Sequence, residues 1–361
     1  MNIEKTKSWT FDKQYSKMIV GCGCILILML HLWGNRAWKI DGNVCIPFWE
    51  YNDFSVMRLL GRYASICVSY FAFVTGYGMW IKKDDFLKIP NLLHRCIKFL
   101  VSYWIVMLFF FIIFCFTGDT YPDYGIIMLN LIGLKTGVAC GYINVVFAWY
   151  VTFYIFLLII TPPLIILFNH TRRVMVDCLY AILLSVCISL YINTVGFPTL
   201  LSNISYNMYI LYSVLLGIFG AKYRLVDRLV GYLSTYIRII IVFVVSIAIQ
   251  ISFDFFPPLR HFPYIEAINT LLSISSVSAF LVLLSSTWIN RWLSIIGKYS
   301  MNIWFLHGIF FVQSCYFQKY AFFPKYSIFV LLWVILLMLP LSMAIAYTQK
   351  LVVSSIEKWI K

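Results

Sequence analysis

Two histidines lie inside long apolar runs, where an ionisable side chain is expensive and marks a functional candidate. His31 closes the run CILILMLHLWGN. His307 sits in IGKYSMNIWFLHGIFF, with Lys298 at the entrance and Asn302 and Gln313 nearby. Lys17 precedes His31 by fourteen positions. On an α-helix that spacing puts Lys17, Val20, Cys24, Leu28 and His31 on one face, with cation and imidazole about 21 Å apart along the axis. An imidazole with its ordinary pKa of about 6.5 can accept a proton from a hydroxyl at neutral pH. The alternative for His31 is a core histidine bonded to a backbone carbonyl.

A second group is basic. HRCIKFLVSYW holds His94, Arg95 and Lys98, preceded by Lys82, Lys83 and Lys88. Arg95 and Lys98 are three apart and share a helix face. Guanidinium and ammonium groups make charge-assisted bonds to phosphate oxygens, so this cluster suits a phosphate-bearing ligand. Cations snorkelling at a membrane surface explain most of its lysines equally well. The run FAWYVTFYIFLLIITPPL is aromatic early, at Trp149 and beyond, and ends on Pro162-Pro163, a pair that breaks or ends a helix. Gly76 and Gly78 are of the kind that lets another helix backbone approach closely.

These groups need elements to hold them. The chain has 361 residues, 62% hydrophobic and 12% charged. Soluble domains carry about 25% charged residues, so a cytosolic enzyme, a disordered chain and a disulfide-stapled secreted module are excluded. The expected fold is all-α, a polytopic transmembrane bundle forming one domain over 1–361. Runs of about 20 apolar residues can cross a bilayer. Ten qualify: 17–34, 62–81, 96–117, 143–168, 174–194, 205–221, 236–253, 265–287, 300–318 and 326–348. The stretch 124–134 is too short and reads as a loop or a re-entrant piece. The first run has no cleavage site after it and reads as a retained helix.

With the amino terminus inside, 20 of the 28 Lys and Arg fall on the inner side. That excess satisfies the positive-inside rule and predicts both termini in the cytoplasm. It also accounts for the net charge of +14 without nucleic acid. The ten cysteines include no CxxC and show no metal-ligand spacing, so neither a metal nor a disulfide is expected.

Four stretches, in order, resemble the acyltransferase 3 family of integral-membrane acyltransferases that modify bacterial surface sugars. SKMIVGCGCILILMLHLW is similar to its first helix with the closing His. SYFAFVTGYGMW followed by HRCIKFLVSYW is similar to its Ser-Gly-Tyr segment and Arg-x-x-Arg motif. AWYVTFYIFLLIITPPL and IGKYSMNIWFLH are similar to its Trp-Phe helix and its late Gly-Lys-Tyr-Ser helix. Lys98 replaces the second Arg, which keeps the charge and loses the bidentate fork. Thr75 stands where Ser is usual, and of the family's charged opening only Lys17 remains.

The resemblance implies ten helices and transfer of an acyl group, most often acetyl, from cytoplasmic acyl-CoA to a sugar or polysaccharide hydroxyl. It places the protein in the bacterial inner membrane, in contact with lipid. His31 is then the general base or a transient acyl carrier. Arg95, Lys98, Lys82 and Lys17 are the candidates for the CoA phosphates, and His307, Trp149 and Asn35 for the acceptor. A homo-oligomer is compatible with this reading. A transporter or flippase for lipid-linked sugars is the competing class. It would favour internal repeats and interrupted helices, and none is visible here.

Overall fold

The computed structural model describes residues 11–34, 50–51, 54–117, 124–134, 149–171, 173–194, 210–255, 263–284, 288–308, 310 and 319–360. These are helical apart from a two-stranded antiparallel hairpin, Glu50–Tyr51 with Phe54–Ser55. Six helical stretches have the length and hydropathy to cross a membrane: Lys13–Gly34, Val56–Ile81, Ile89–Ile112, Trp149–His170, Tyr236–Phe253 and Ser327–Ile356. Shorter apolar helices occupy Val174–Leu184, Ile210–Lys222 and Ala267–Leu283. The chain is an all-α, multi-pass membrane protein. In hydrocarbon every backbone N–H and C=O must be satisfied within the segment, and the α-helix does this locally.

The chain divides into two compact units. One contains residues 1–81, 209–300 and 314–339, the other 82–208, 301–313 and 340–361. In the first unit α1 (Lys13–Met29) starts at Asp12, whose carboxylate accepts the Tyr15 amide at 2.7 Å as an N-cap. α1 passes into a π-helical turn, Leu30–Gly34. Then come α2 (Val56–Tyr63), a 3₁₀ turn at Ala64–Ile66 and α3 (Cys67–Ile81). The same unit holds α9 (Leu211–Lys222), α10 (Leu225–Tyr232), α11 (Tyr236–Phe255), α12 (Pro263–Leu283) and α13 (Trp288–Lys298). The second unit holds α4 (Lys83–Phe86), α5 (Ile89–Thr117), α6 (Tyr124–Leu131), α7 (Trp149–His170) and α8 (Val174–Thr194). Two further helices, α14 (Ser300–Leu306) and α15 (Ser327–Ile360), follow in the chain.

Glycines set the helix pairs of the first unit. α1 packs on α13: a Cβ on Gly21 would stand 2.1 Å from the Leu293 carbonyl oxygen, and one on Gly297 1.8 Å from that of Lys17. α3 packs on α9 in the same way, with Gly76 against the Val214 carbonyl at 2.0 Å and Gly217 against Phe73 at 2.1 Å. Gly76 therefore has the close-packing role expected of it. Gly78 does not: it is exposed, and a Cβ there meets nothing within 4 Å. Gly76→Val is expected to destabilise by at least the roughly 1–3 kcal/mol of core overpacking. Gly78→Ala should be neutral or gain up to about 1 kcal/mol of helix propensity. Thermal unfolding of both variants in one detergent checks this, and equal melting points would refute the assigned contact.

Several helices depart from the expected segments. Pro162 and Pro163 neither break nor end α7, which runs to His170. Proline's fixed φ is itself helical, and leaving the helix in a membrane would strand many more backbone groups than the two amides lost. Just before them the Thr161 hydroxyl donates to the Leu157 carbonyl at 2.5 Å. The 124–134 stretch contains a helix, α6, and is held against α5: Trp104 Nε1 donates to the Leu131 carbonyl at 2.7 Å, and Tyr103 donates to Asn130 Oδ1 at 3.3 Å. In the expected span 300–318 the helix turns at His307, and 311–318 lie outside the described residues. α13 was not expected. Its apolar run is short, and its partner glycine Gly21 lies far away in sequence.

Candidate active site

In the first unit the predicted face of α1 points into protein. Cys24 and Leu28 are 1% exposed and His31 is 9% exposed. Cys24 Sγ reaches the Ser300 carbonyl at 4.0 Å. Lys17 is half-buried in the second turn of the helix. His31 lies on the π-helical turn and not on regular α-helix. Such turns recur at functional sites because they re-aim side chains.

α2 packs across this turn at backbone distance. A Cβ on Gly61 would lie 2.3 Å from the Gly34 amide nitrogen and 2.6 Å from the Trp33 carbonyl carbon. Only two glycines allow that approach, so the geometry of the His31 turn depends on Gly34 and Gly61 together. One turn before Gly61, α2 carries Arg58. Its Nε is buried and has no hydrogen-bond partner among the described residues. Arg58 was not among the residues that the sequence singled out. Asn35, expected to line the acceptor, lies outside the described residues.

In the second unit the basic cluster forms around the start of α5. Arg95 Nη2 lies 3.6 Å from Asp85 Oδ2, and its guanidinium sits 4.4 Å over the Phe86 ring. The side chains are 27% and 51% exposed, so the pair is worth no more than about 1 kcal/mol and can open to a phosphate. Asp85 is the residue that counting cations missed. Lys98 is exposed, and its carbonyl accepts Gln349 Nε2 at 2.7 Å. Lys82 is exposed at the start of α4, and Lys83 Nζ donates to Asn169 Oδ1 at 2.7 Å. Lys88 is exposed.

The same unit brings together Trp149 and His307 through Trp304. Trp149 meets Trp304 edge-on at 5.9 Å, and Trp304 meets His307 edge-on at 6.2 Å. Tyr150 packs on Trp304 at 5.5 Å. His307 is fully buried. Its Nδ1 contacts the Trp304 carbonyl, which can only accept, so that nitrogen carries the proton. Asn302 accepts from Ser102 Oγ and donates to the Ser342 carbonyl, both at 3.1 Å. This network fixes the helix that bears His307.

Among the described residues no group of three or more His, Cys, Asp and Glu is placed to hold a metal ion. Cys22, Cys24, Cys67, Cys96, Cys178 and Cys187 are free thiols.

Residues 19–348 match a protein family described as an acyltransferase domain. No curated protein and no solved structure matches the chain.

Proposed function

The chain belongs to the acyltransferase 3 family, and from that membership we propose that it moves an acetyl or similar short acyl group from acyl-CoA to a hydroxyl of a cell-surface sugar or polysaccharide precursor. The observation that carries this reading is the buried His31 on a π-helical turn braced by α2. In that role the imidazole accepts the proton of the acceptor hydroxyl as its oxygen attacks the thioester carbonyl. The carbon–sulfur bond breaks, and the CoA thiolate leaves with the proton returned by the imidazolium. An acyl-imidazole relay would use the same side chain as nucleophile.

Arg95, Lys98, Lys82 and Lys17 are proposed to hold the CoA phosphates. The half-exposed Arg95–Asp85 pair supports this, since its guanidinium is accessible and weakly committed. His307, Trp149 and Asn35 are proposed to line the acceptor path. The proposed setting is the bacterial inner membrane, one functional domain of about ten helices, both termini in the cytoplasm, and no metal. Acetyl-CoA is the first donor to test.

The decisive experiment incubates the purified protein with radiolabelled acetyl-CoA and cell-surface glycan. Alkali-labile label on the glycan supports O-acyl transfer. Failure to consume CoA with any acceptor would return the protein to the carrier reading.

His307→Asn bears on the division of labour. As a residue proposed to line the acceptor path and not to move the proton, His307 should tolerate Asn with a loss of less than about tenfold in turnover, well short of a general-base loss of about 10²–10⁴. Equal abolition by His307→Asn and a His31 variant, at normal expression, would make His307 part of the chemistry.

A further inference from the structure

The first unit contains a cavity of about 270 Å³. Its walls are Cys22 and Leu26 of α1, Tyr70 of α3, Phe243 and Ile247 of α11, and Val277 of α12, with neighbours of the same kind. Polarity is confined to one corner, lined by Tyr63, Tyr70 and Ser276, whose hydroxyl donates to the Ser273 carbonyl at 3.0 Å. A cavity of about 150 Å³ lined by Leu, Ile and Phe stays dry and admits benzene. The space here is larger and equally hostile to water.

The position of the cavity says what reaches it. Leu26, Phe243 and Ile247 are only half-buried, so the space is open and not sealed. It opens beside α11, of whose membrane-crossing window only 17% is buried. Ile237, Ile240, Ile241, Val244 and Val245 of that helix are 48–72% exposed and form a lipid-facing surface. At that depth the surrounding medium is hydrocarbon. A sugar has too few partners here, because the hydroxyls of Tyr63, Tyr70 and Ser276 stand in an otherwise apolar wall and that of Ser276 is already given to a backbone carbonyl. A two-carbon acyl group would leave most of the volume empty, and unfilled apolar space forfeits contacts.

We propose that this cavity is a binding site for one acyl chain of a bilayer phospholipid, which enters beside α11 and fills the space between α1, α11 and α12. The site is independent of the acyl-transfer reading and stands or falls separately from it. The bound chain acts as part of the packing, and removing it exposes the wall formed by α11.

The test uses the full chain in phosphatidylethanolamine–phosphatidylglycerol vesicles containing a phospholipid with a mid-chain diazirine. After irradiation, adducts are mapped by peptide mass spectrometry. The expected result is enrichment in residues 22–26, 243–247 and 276–280 over the exposed α15 surface at Phe329, Leu332 and Leu336. Val277→Phe and, separately, Ile247→Trp fill the space. Either should remove most cavity adducts and leave those on α15 unchanged. The filled variants should also lose less thermal stability than wild type when lipid is stripped by detergent. Equal labelling of the two surfaces, or cavity labelling indifferent to both substitutions, would overturn the proposal. So would displacement of the label by long-chain acyl-CoA at constant lipid, which would give the space to the donor.

Discussion

Replacing His31 with Gln is expected to lower acyl transfer about 10²–10⁴-fold, the usual contribution of a general base, while CoA affinity stays near wild type. His31 is 9% exposed on a turn that Gly34 and Gly61 hold at backbone contact. Gln is close in size and can retain one hydrogen bond, so packing at the turn survives. What Gln cannot do is exchange a proton near neutral pH. The phosphate contacts should be spared because they rest on cationic side chains. Lys17, the candidate on the same helix, stands about 21 Å down the axis. Acyl transfer and CoA binding should be measured on the same purified variant, with its melting temperature. Transfer retained above about a tenth of wild type would remove His31 from the chemistry.

The second large effect belongs to Arg95. Arg95→Ala should weaken CoA binding by about 1.5–3 kcal/mol, the worth of a hydrogen bond to a charged group. Lys88→Ala, at an exposed position, should change it by less than about 1 kcal/mol. The Arg95–Asp85 contact sharpens the prediction. Asp85 competes with a phosphate for the same guanidinium, so Asp85→Asn should tighten CoA binding modestly. Isothermal titration with CoA on the three variants separates the outcomes. Equal losses for Arg95 and Lys88 would reduce the basic run to a topology signal. A loss of affinity in Asp85→Asn would mean that the carboxylate orients Arg95 and does not compete for it.

The chain alone determined that this is a helical membrane protein, and for a local reason. Each apolar run of about 20 residues satisfies its own backbone hydrogen bonds, so its helical state needs no partner. Lys17 at one end of α1 and His31 near the other were legible in the same way, because spacing on a helix is local information. The family resemblance came from short ordered stretches and is matched over residues 19–348.

Only the tertiary structure decided how those local pieces are finished. The π-helical turn under His31 is tied to Gly34 meeting Gly61, a contact across a long connection. α13 was hidden because its eleven residues, Trp288–Lys298, are too few to signal a membrane segment, and its place is fixed by Gly21 and Gly297. Gly76 and Gly78, two residues apart in one helix, take opposite surroundings because only one of them faces α9. Arg95 stood in the sequence as one of a basic cluster, and only the fold sets Phe86 and Asp85 beside its guanidinium. In each case the deciding contact joins residues whose pairing no local periodicity records. Helix formation was settled within segments, and the surroundings of the functional side chains were settled between them.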